Sequence, residues 1–597
     1  MNNFLKNSLS TVVGLVIFSV LCSIFAFIGL AGMMVSGNAR SSIKNNSVLV
    51  LNLQGRISDY AENSDDIMSM LQGTSNTAVS LSDMTSAIKK AKTDKHIKGI
   101  YIEAGMTLSN IALYEELRNT LLDFKKSGKW IIAYGERYSQ GAYYVSSVAD
   151  KIYINPSGML DWHGLGSVVE FDKGLMKKIG VNVVVAKVGK FKGATEKFTE
   201  DKLSDANREQ TERYLNGSWQ TMLKDVSASR GIDTARLDGY ADDINLLADV
   251  RQYKQRKLVD GFCYNDQIKD IVKKQLGIDK DDEIKQVSVG DMNSAVADSD
   301  DGGAVGVYYC QGEIVQSKPQ QMLSMADDNI VCDDVIADLE KMAKNDDIKA
   351  IVLRINSGGG DAYASEQLWH EINKINKKKP VVVSMSGAAA SGAYYMSMGS
   401  RWIVAEPTTL TGSIGIFAVL PSASELLTSK LGIKFDEVST NKNSNFGTFS
   451  YARPMTSAEF GAVQSYVDRG YVLFRKRVCD GRKLSVDDVE KIAQGHVWLG
   501  TDAKKIKLVD EIGGLDAAVK KAASFAGVAD SYHTVVCNNP VSFIEQILDN
   551  GNKKKDNYLS EQLKDVLGIM YEPVMRLKML KEASMLQAHC PSEITLN

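Results

Sequence analysis

The sequence predicts an α/β protein made of two tandem homologous domains behind an N-terminal transmembrane helix. Three observations carry that reading: a long uncharged N-terminal stretch, a self-repeat at an offset of 251 residues, and short apolar runs that alternate with helical ones inside each repeat. A chain of 597 residues is too long for one hydrophobic core, so two to four domains are expected. The composition, 44% hydrophobic and 24% charged with a net charge of −3, is that of an ordinary folded chain and gives no electrostatic footprint for nucleic acid.

No charge occurs between Lys6 and Arg40, and residues 11–35 read TVVGLVIFSVLCSIFAFIGLAGMMV. These 25 residues exceed the about 20 that a spanning helix needs. A cleaved signal peptide has a shorter apolar core of about 7–15 residues. Leu21 precedes Cys22, where a lipoprotein signal would carry a small residue. Residues 1–45 are therefore expected to be an uncleaved anchor. Lys6 stands on one side and Arg40 with Lys44 on the other, so charge alone does not orient it.

The repeat comes next. Ile97–Tyr144 aligns without a gap to Ile348–Tyr395, VLVLNLQGRI (48–57) recurs as VGVYYCQGEI (305–314), and KLVDGFCYNDQIKDIVKK (257–274) recurs as KLVDEIGGLDAAVKKA (507–522). Two domains follow, 46–295 and 296–540, joined at the acidic VADSDDGG. Within each, GIYIEA and WIIAYG, or AIVLRI and PVVVSM, alternate with 15–20 residues of helical period. That alternation is the sign of parallel strands covered by helices. Residues 541–597 are expected to form a helical tail that docks on the body or on another subunit. The seven scattered cysteines read as buried or incidental thiols. His370 opens HEINK, which lacks the second histidine of a zinc helix, and neither a metal nor a cofactor is expected.

Where the copies differ, each shows its specialisation. The second has Asn356-Ser357-Gly358-Gly359-Gly360 where the first has Gly105-Met106-Thr107-Leu108-Ser109, and Ser391 where the first has Gln140. Glycines after a strand let backbone amides face a developing oxyanion. A serine between a strand and a helix, walled by small residues, can approach a substrate backbone. A serine nucleophile needs a base, and no histidine lies in a recognisable triad motif. A lysine can serve if burial lowers its affinity for the proton; a depression of about three pH units corresponds to about 4 kcal/mol. The first copy offers Lys187, Lys190, Lys192 and Lys197 in VVVAKVGKFKGATEKF, where the second has DEVSTNKNSNFGTF. Each half lacks what the other holds.

These residues resemble the long, tandem-domain form of bacterial signal peptide peptidase A, a membrane-anchored serine protease with a Ser–Lys dyad. The resemblance covers nearly the whole chain and is densest in GAAASGAYYMSMGSRWIVAEPTTLTGSIGIF (387–417), RINSGGGDAYASE (354–366), GHVWLGTDAKKIKLVDEIGG (495–514) and VGKFKGATEKF (188–198). It implies a ClpP/crotonase-like fold for each domain, Ser391 as nucleophile, Lys192 as general base, Ser413 as the residue that orients the lysine, and Gly359 and Gly360 as oxyanion donors. Gly358 stands where the family usually has proline. It further implies signal peptides and other apolar peptides as substrates, a single-pass protein of the bacterial cytoplasmic membrane with its bulk on the exported side, and a homo-oligomer, a tetramer by the same resemblance. The other readings are a crotonase-like acyl-CoA enzyme and a non-catalytic membrane scaffold of the same fold; the reciprocal losses between the halves speak against both.

Overall fold

The computed structural model describes residue 18 and residues 42–60, 79–243, 245–295, 302–317, 329–538 and 587–589. The anchor expected at 11–35 lies outside the described residues apart from residue 18. Among the described residues, no helix is long and apolar enough to cross a membrane. The tail expected to be helical from 541 also lies outside them, except Gln587–His589, which is a strand.

Each half of the chain builds one largely parallel sheet. In the first the order is Val79–Ser80, Ser47–Ser58, Ile97–Leu108, Trp130–Tyr138, Lys151–Leu160 and Gly261–Phe262, with Lys285–Val287 also paired to Ser47–Ser58. In the second, Val381–Ala390, Ile348–Ser357, Gly303–Gln311 and Tyr532–Val536 lie side by side, all parallel. Such strands are covered on both faces, and IKAIVLRINS is accordingly buried nearly throughout rather than at alternate residues. Its residues Ala350 and Val352 pack under the helix Leu515–Phe525. Ile351, Leu353 and Ile355 point the other way, toward the helices Cys332–Lys344 and Ala362–Asn376. The two halves are thus tandem domains of mixed α/β architecture.

A third sheet belongs to both. Its order is Asn329–Val331, Glu313–Val315, Gly359–Asp361, Gln587–His589, Phe417–Ser422 and Asn182–Lys187. The last of these comes from the first domain and runs antiparallel to Phe417–Ser422 of the second, from Phe417 opposite Lys187 to Ser422 opposite Asn182. This cross-domain pairing aims the segment after Lys187 into the second domain.

A buried ionic cluster locks the domains further. Arg354, 1% exposed, donates from Nε to Asp59 (2.7 Å), from Nη2 to Glu116 (2.6 Å) and from Nη1 to Ser384 (2.9 Å). Asp59, also 1% exposed, accepts from Asn356 Nδ2 at 2.8 Å and from Ser386 Oγ. Beside it, Thr408 Oγ1 donates to Glu115 at 2.5 Å across the same boundary. Burial pushes the Glu115 carboxyl up to about 8, and drives Glu406, held among Glu116, Glu115 and Asp59, well above the usual carboxylate range. Ser384 and Ser386 belong to this lock.

Candidate active site

Ser391 closes the strand Val381–Ala390 and precedes the short helix Gly392–Ser397. Its backbone sits at φ 55°, ψ −115°, a strained position for a residue with a side chain. The strain is held at both ends: the Ser391 amide donates to Gly412 O (2.8 Å), and Tyr395 N donates to Ser391 O (2.8 Å). Ser413, one residue past that acceptor, is the second strained serine, at φ 51°, with its amide bonded to His496 O at 2.8 Å.

Lys192 arrives from the first domain. Beyond the Asn182–Lys187 strand the chain stays pinned to the second domain, with Val188 N donating to Ile416 O (3.1 Å) and Phe191 N to Gln494 O (3.0 Å). Gln210 Nε2 holds Phe191 O at 3.0 Å while its Oε1 accepts from Val497 N at 3.1 Å, bracing the lysine segment against the same loop. Gly495 packs directly against Lys192. At φ +80°, a Cβ there would lie 2.6 Å from the Lys192 nitrogen and 2.7 Å from its Cβ. Lys192, Ser391 and Ser413 are all fully buried.

The geometry brings the three together. Lys192 Nζ lies 2.6 Å from Ser391 Oγ, 2.9 Å from Ser413 Oγ and 3.1 Å from Ser413 O. Lys192 and Ser391 are 199 residues apart in the same chain, and Lys192 and Ser413 are 221 apart. An amine in this cage can give two protons to Ser413 and turn its lone pair to Ser391, the arrangement of a lysine that takes a hydroxyl proton.

Of the two glycines expected as oxyanion donors, the structure separates the roles. The Gly359 amide donates to Ser357 Oγ at 3.1 Å. The Gly360 amide instead lies 3.2 Å from the point where a Cβ on Gly392 would stand. Both loop glycines therefore stand close to Gly392, whose amide directly follows Ser391 in the chain. Gly392 was not singled out from the sequence, although the first amides of any helix have no partner within it. Both loop glycines have φ in the left-handed region, +108° and +153°, and a Cβ on either would overlap neighbouring backbone oxygens. Asp361, the carboxylate next in sequence, caps the following helix by accepting from Ala364 N at 2.7 Å.

The first copy shows what replaces such a site. Gln140 Nε2 donates to Gly164 O (2.9 Å), and its Oε1 accepts from His163 N (2.8 Å) and Gly164 N (3.0 Å). Trp162, fully buried, occupies the repeat position of Ser413. The space is filled and clamped. Of the histidines, His496 approaches the lysine loop, but it is sandwiched against Trp498 (4.0 Å) and Phe191 (4.3 Å), and burial lowers its pKa below the usual value. The described cysteines are free thiols, and burial raises Cys310 and Cys332 to about 12, which leaves them inert.

A doubly covered parallel sheet presenting a buried serine to a buried lysine is the architecture of a serine hydrolase, and similarity to known proteins makes the chain a serine protease. It belongs to peptidase family S49, whose model matches residues 123–279 and 373–529, one stretch in each domain and just over half of the chain. Protease 4 of Salmonella typhi is 34% identical over 549 residues, covering 89% of this chain and 87% of that one. Protease 4 of Haemophilus influenzae is 30% identical over 574 residues (92% and 90%), and the chloroplastic serine protease SPPA of Arabidopsis thaliana 29% over 490 residues (81% and 70%). A CoA-ligase model also matches residues 265–408, a stretch that starts in the last long helix of the first domain and ends inside the second, so it follows no structural unit.

Proposed function

We propose that the protein is a membrane-anchored endopeptidase that degrades cleaved signal peptides and other apolar peptides at the bacterial cytoplasmic membrane, with its bulk on the exported side. The observation that carries the mechanism is the 2.6 Å approach of Lys192 Nζ to Ser391 Oγ in a fully buried setting. Burial disfavours the charged form of an amine, and the neutral form is the one that can accept a proton. Lys192 takes the Ser391 proton as Oγ attacks the peptide carbonyl. The amides of Gly360 and Gly392 hold the oxyanion, and Lys192 then protonates the leaving amine. Water, deprotonated by the same amine, hydrolyses the ester. Ser413 keeps Nζ aimed throughout. The apolar substrate class is supported by the small-residue wall GAAASGA around Ser391, and the anchor by the 25 uncharged residues 11–35.

The repeat supports a closed homo-oligomer as well. The counterparts of the two strands that join the domains are residues 434–439 and 166–171; neither is a strand, and Val168, Val169, Phe435 and Val438 are exposed there. A second chain can repeat the pairing head to tail, a heterologous contact that closes into a ring, with four subunits by family resemblance. Val168→Asp is expected to shift the native mass to that of one chain.

The test of the chemistry is hydrolysis of a fluorogenic apolar peptide by the full chain beside Ser391→Ala and Lys192→Ala. Activity in the wild type that falls about 1,000-fold or more in both variants, within the about 100- to 10,000-fold range for losing a positioned base, fits the dyad. Survival of activity in Lys192→Ala assigns another base, and survival in Ser391→Ala removes the nucleophile.

A further inference from the structure

The segment GHVWLG (495–500) gives no side chain to the dyad, yet the three buried residues of the site are all tied to it. Val497–Leu499 runs antiparallel to Leu410–Gly412, with Trp498 opposite Thr411 and Val497 opposite Gly412. One residue further in this register, His496 stands opposite Ser413, and its carbonyl accepts from the Ser413 amide at 2.8 Å. Gly412 in turn accepts from the Ser391 amide at 2.8 Å. Lys192 is reached from the same segment, since Gly495 packs on its backbone.

The side chain of His496 adds a second grip. Its ring is buried, 4.0 Å from Trp498 with 18° between the planes, and 4.3 Å from Phe191, the residue before Lys192. One residue thus holds Ser413 by its carbonyl and the lysine segment by its ring. Nδ1 lies 2.7 Å from Val497 O; a carbonyl can only accept, so Nδ1 carries a proton and Nε2 is where a second would add. The charges around the ring are set against that second proton. Lys190 Nζ lies 4.8 Å from the Phe191 ring centre, and Arg213 Cζ lies 5.2 Å from that of Trp498. Glu209, on the same helix as Arg213, opposes them, while Arg213 itself is paired with Asp502 at 3.1 Å. Burial, with these two cations, keeps the imidazole neutral below its ordinary value.

We propose that His496, with its ring neutral, is a positioning residue that holds Phe191 and Ser413 in register so that Lys192 Nζ stays between the two serine hydroxyls; this rests on the Ser391–Lys192 mechanism above. The need for such a residue follows from the lysine itself. A four-carbon stem is flexible, so Nζ is placed only as well as its backbone and its partners are. Here the backbone belongs to one domain and both hydroxyls to the other. A flat ring packed between two aromatic side chains is stiff, and it transmits the position of one to the other. When Nε2 takes a proton, the ring becomes a third cation in a buried stack that Lys190 and Arg213 already flank. It is then driven toward water, and Phe191 loses its support. Turnover therefore requires two neutral groups, the amine of Lys192 and the imidazole of His496.

Steady-state hydrolysis of a fluorogenic apolar peptide by the full chain, followed across pH with circular dichroism to confirm the fold, tests this. His496→Ala is expected to lower kcat about 100-fold, the scale of a base displaced by about 1 Å. KM stays nearly unchanged, because the ring acts through Phe191 and Ser413 rather than on the peptide. His496→Phe keeps an aromatic ring between Phe191 and Trp498 and is expected to regain most of that loss. In the wild type, log kcat falls with a slope of about one as Lys192 is protonated and steepens to about two below about pH 6.5, whereas His496→Phe keeps a slope of about one. A folded His496→Ala with kcat within about threefold of wild type overturns the proposal. Equal losses in the alanine and phenylalanine variants overturn it too, as does the same acid slope in the wild type and His496→Phe. Where His496→Ala does not fold, the two acid slopes decide. Turnover that survives in Ser391→Ala overturns the dyad and this role with it; turnover lost in Ser391→Ala but kept in His496→Ala overturns the role alone.

Discussion

Gly495 has no functional group, yet the structure makes it a determinant of turnover. It sits at φ +80°, and a methyl added there would stand 2.6 Å from the Lys192 nitrogen, against an ordinary contact of at least 3.4 Å. The two backbones must separate by about 0.8 Å, because the atoms met are the Lys192 nitrogen, Cα and Cβ rather than the end of a flexible side chain. Carried along the lysine to Nζ, that displacement stretches the 2.6 Å approach to Ser391 Oγ to about 3.4 Å, outside the about 2.6–3.2 Å reach of a working base. A misplacement of this size costs about 100-fold in rate. Gly495→Ala is therefore expected to lower kcat about 100-fold with KM nearly unchanged, since neither flank of the peptide groove is touched. Gly527→Ala is the control: its φ is +72° with nothing within 4 Å, so it carries the same backbone strain of about 1–2 kcal/mol and no steric push. Steady-state kinetics with thermal melts of both variants make the comparison. A Gly495→Ala enzyme with its fold intact and kcat within threefold of wild type would refute the argument.

Ser413→Ala removes the 2.9 Å hydroxyl contact to Lys192 and keeps the 3.1 Å carbonyl; an unmade bond of about 1–3 kcal/mol predicts a 10–100-fold lower kcat, read by the same kinetics. Arg354→Met strands Asp59 and Glu116 in the buried domain boundary and is expected to cost about 3–5 kcal/mol in urea unfolding, with part recovered in Arg354→Met/Asp59→Leu. An unchanged urea midpoint in Arg354→Met counts against the lock. Glu115, pushed up to about 8 by burial, binds its proton more tightly folded than unfolded, so its share of stability is full below about 4.5 and is lost as pH rises toward 8. Melting temperature should fall from pH 5 to 8.5 more steeply in the wild type than in Glu115→Gln; equal slopes dismiss the assignment.

Comparing the repeats exposed Ser391 and Lys192 because each carries a side chain whose counterpart, Gln140 in one case and asparagine or serine in the other, cannot do the same chemistry. Gly392 escaped that comparison: the first copy has Gly141 at the same place, and a backbone amide has no residue type of its own. The Asp59–Arg354 pair escaped for a different reason. Its members are 295 residues apart and meet only when the domains dock. The apolar period of NVVVAK marks a strand, but period says nothing of its partner, and Phe417–Ser422 is found only in three dimensions. The strand at Gln587–His589 is three residues long and gains its conformation from the two edges that receive it, so no local pattern announces it.

On the proposed Ser391–Lys192 mechanism, dividing the machinery across the pairing of Asn182–Lys187 with Phe417–Ser422 turns hydrolytic competence into a readout of assembly. During synthesis the lysine half is completed first, and it carries no nucleophile. The serine half, alone, carries no base. A copy that begins to come apart is silenced when those two strands separate, while each domain's own sheet is still intact. Damage therefore disarms the enzyme before it releases a partly unfolded hydrolase among the chains around it.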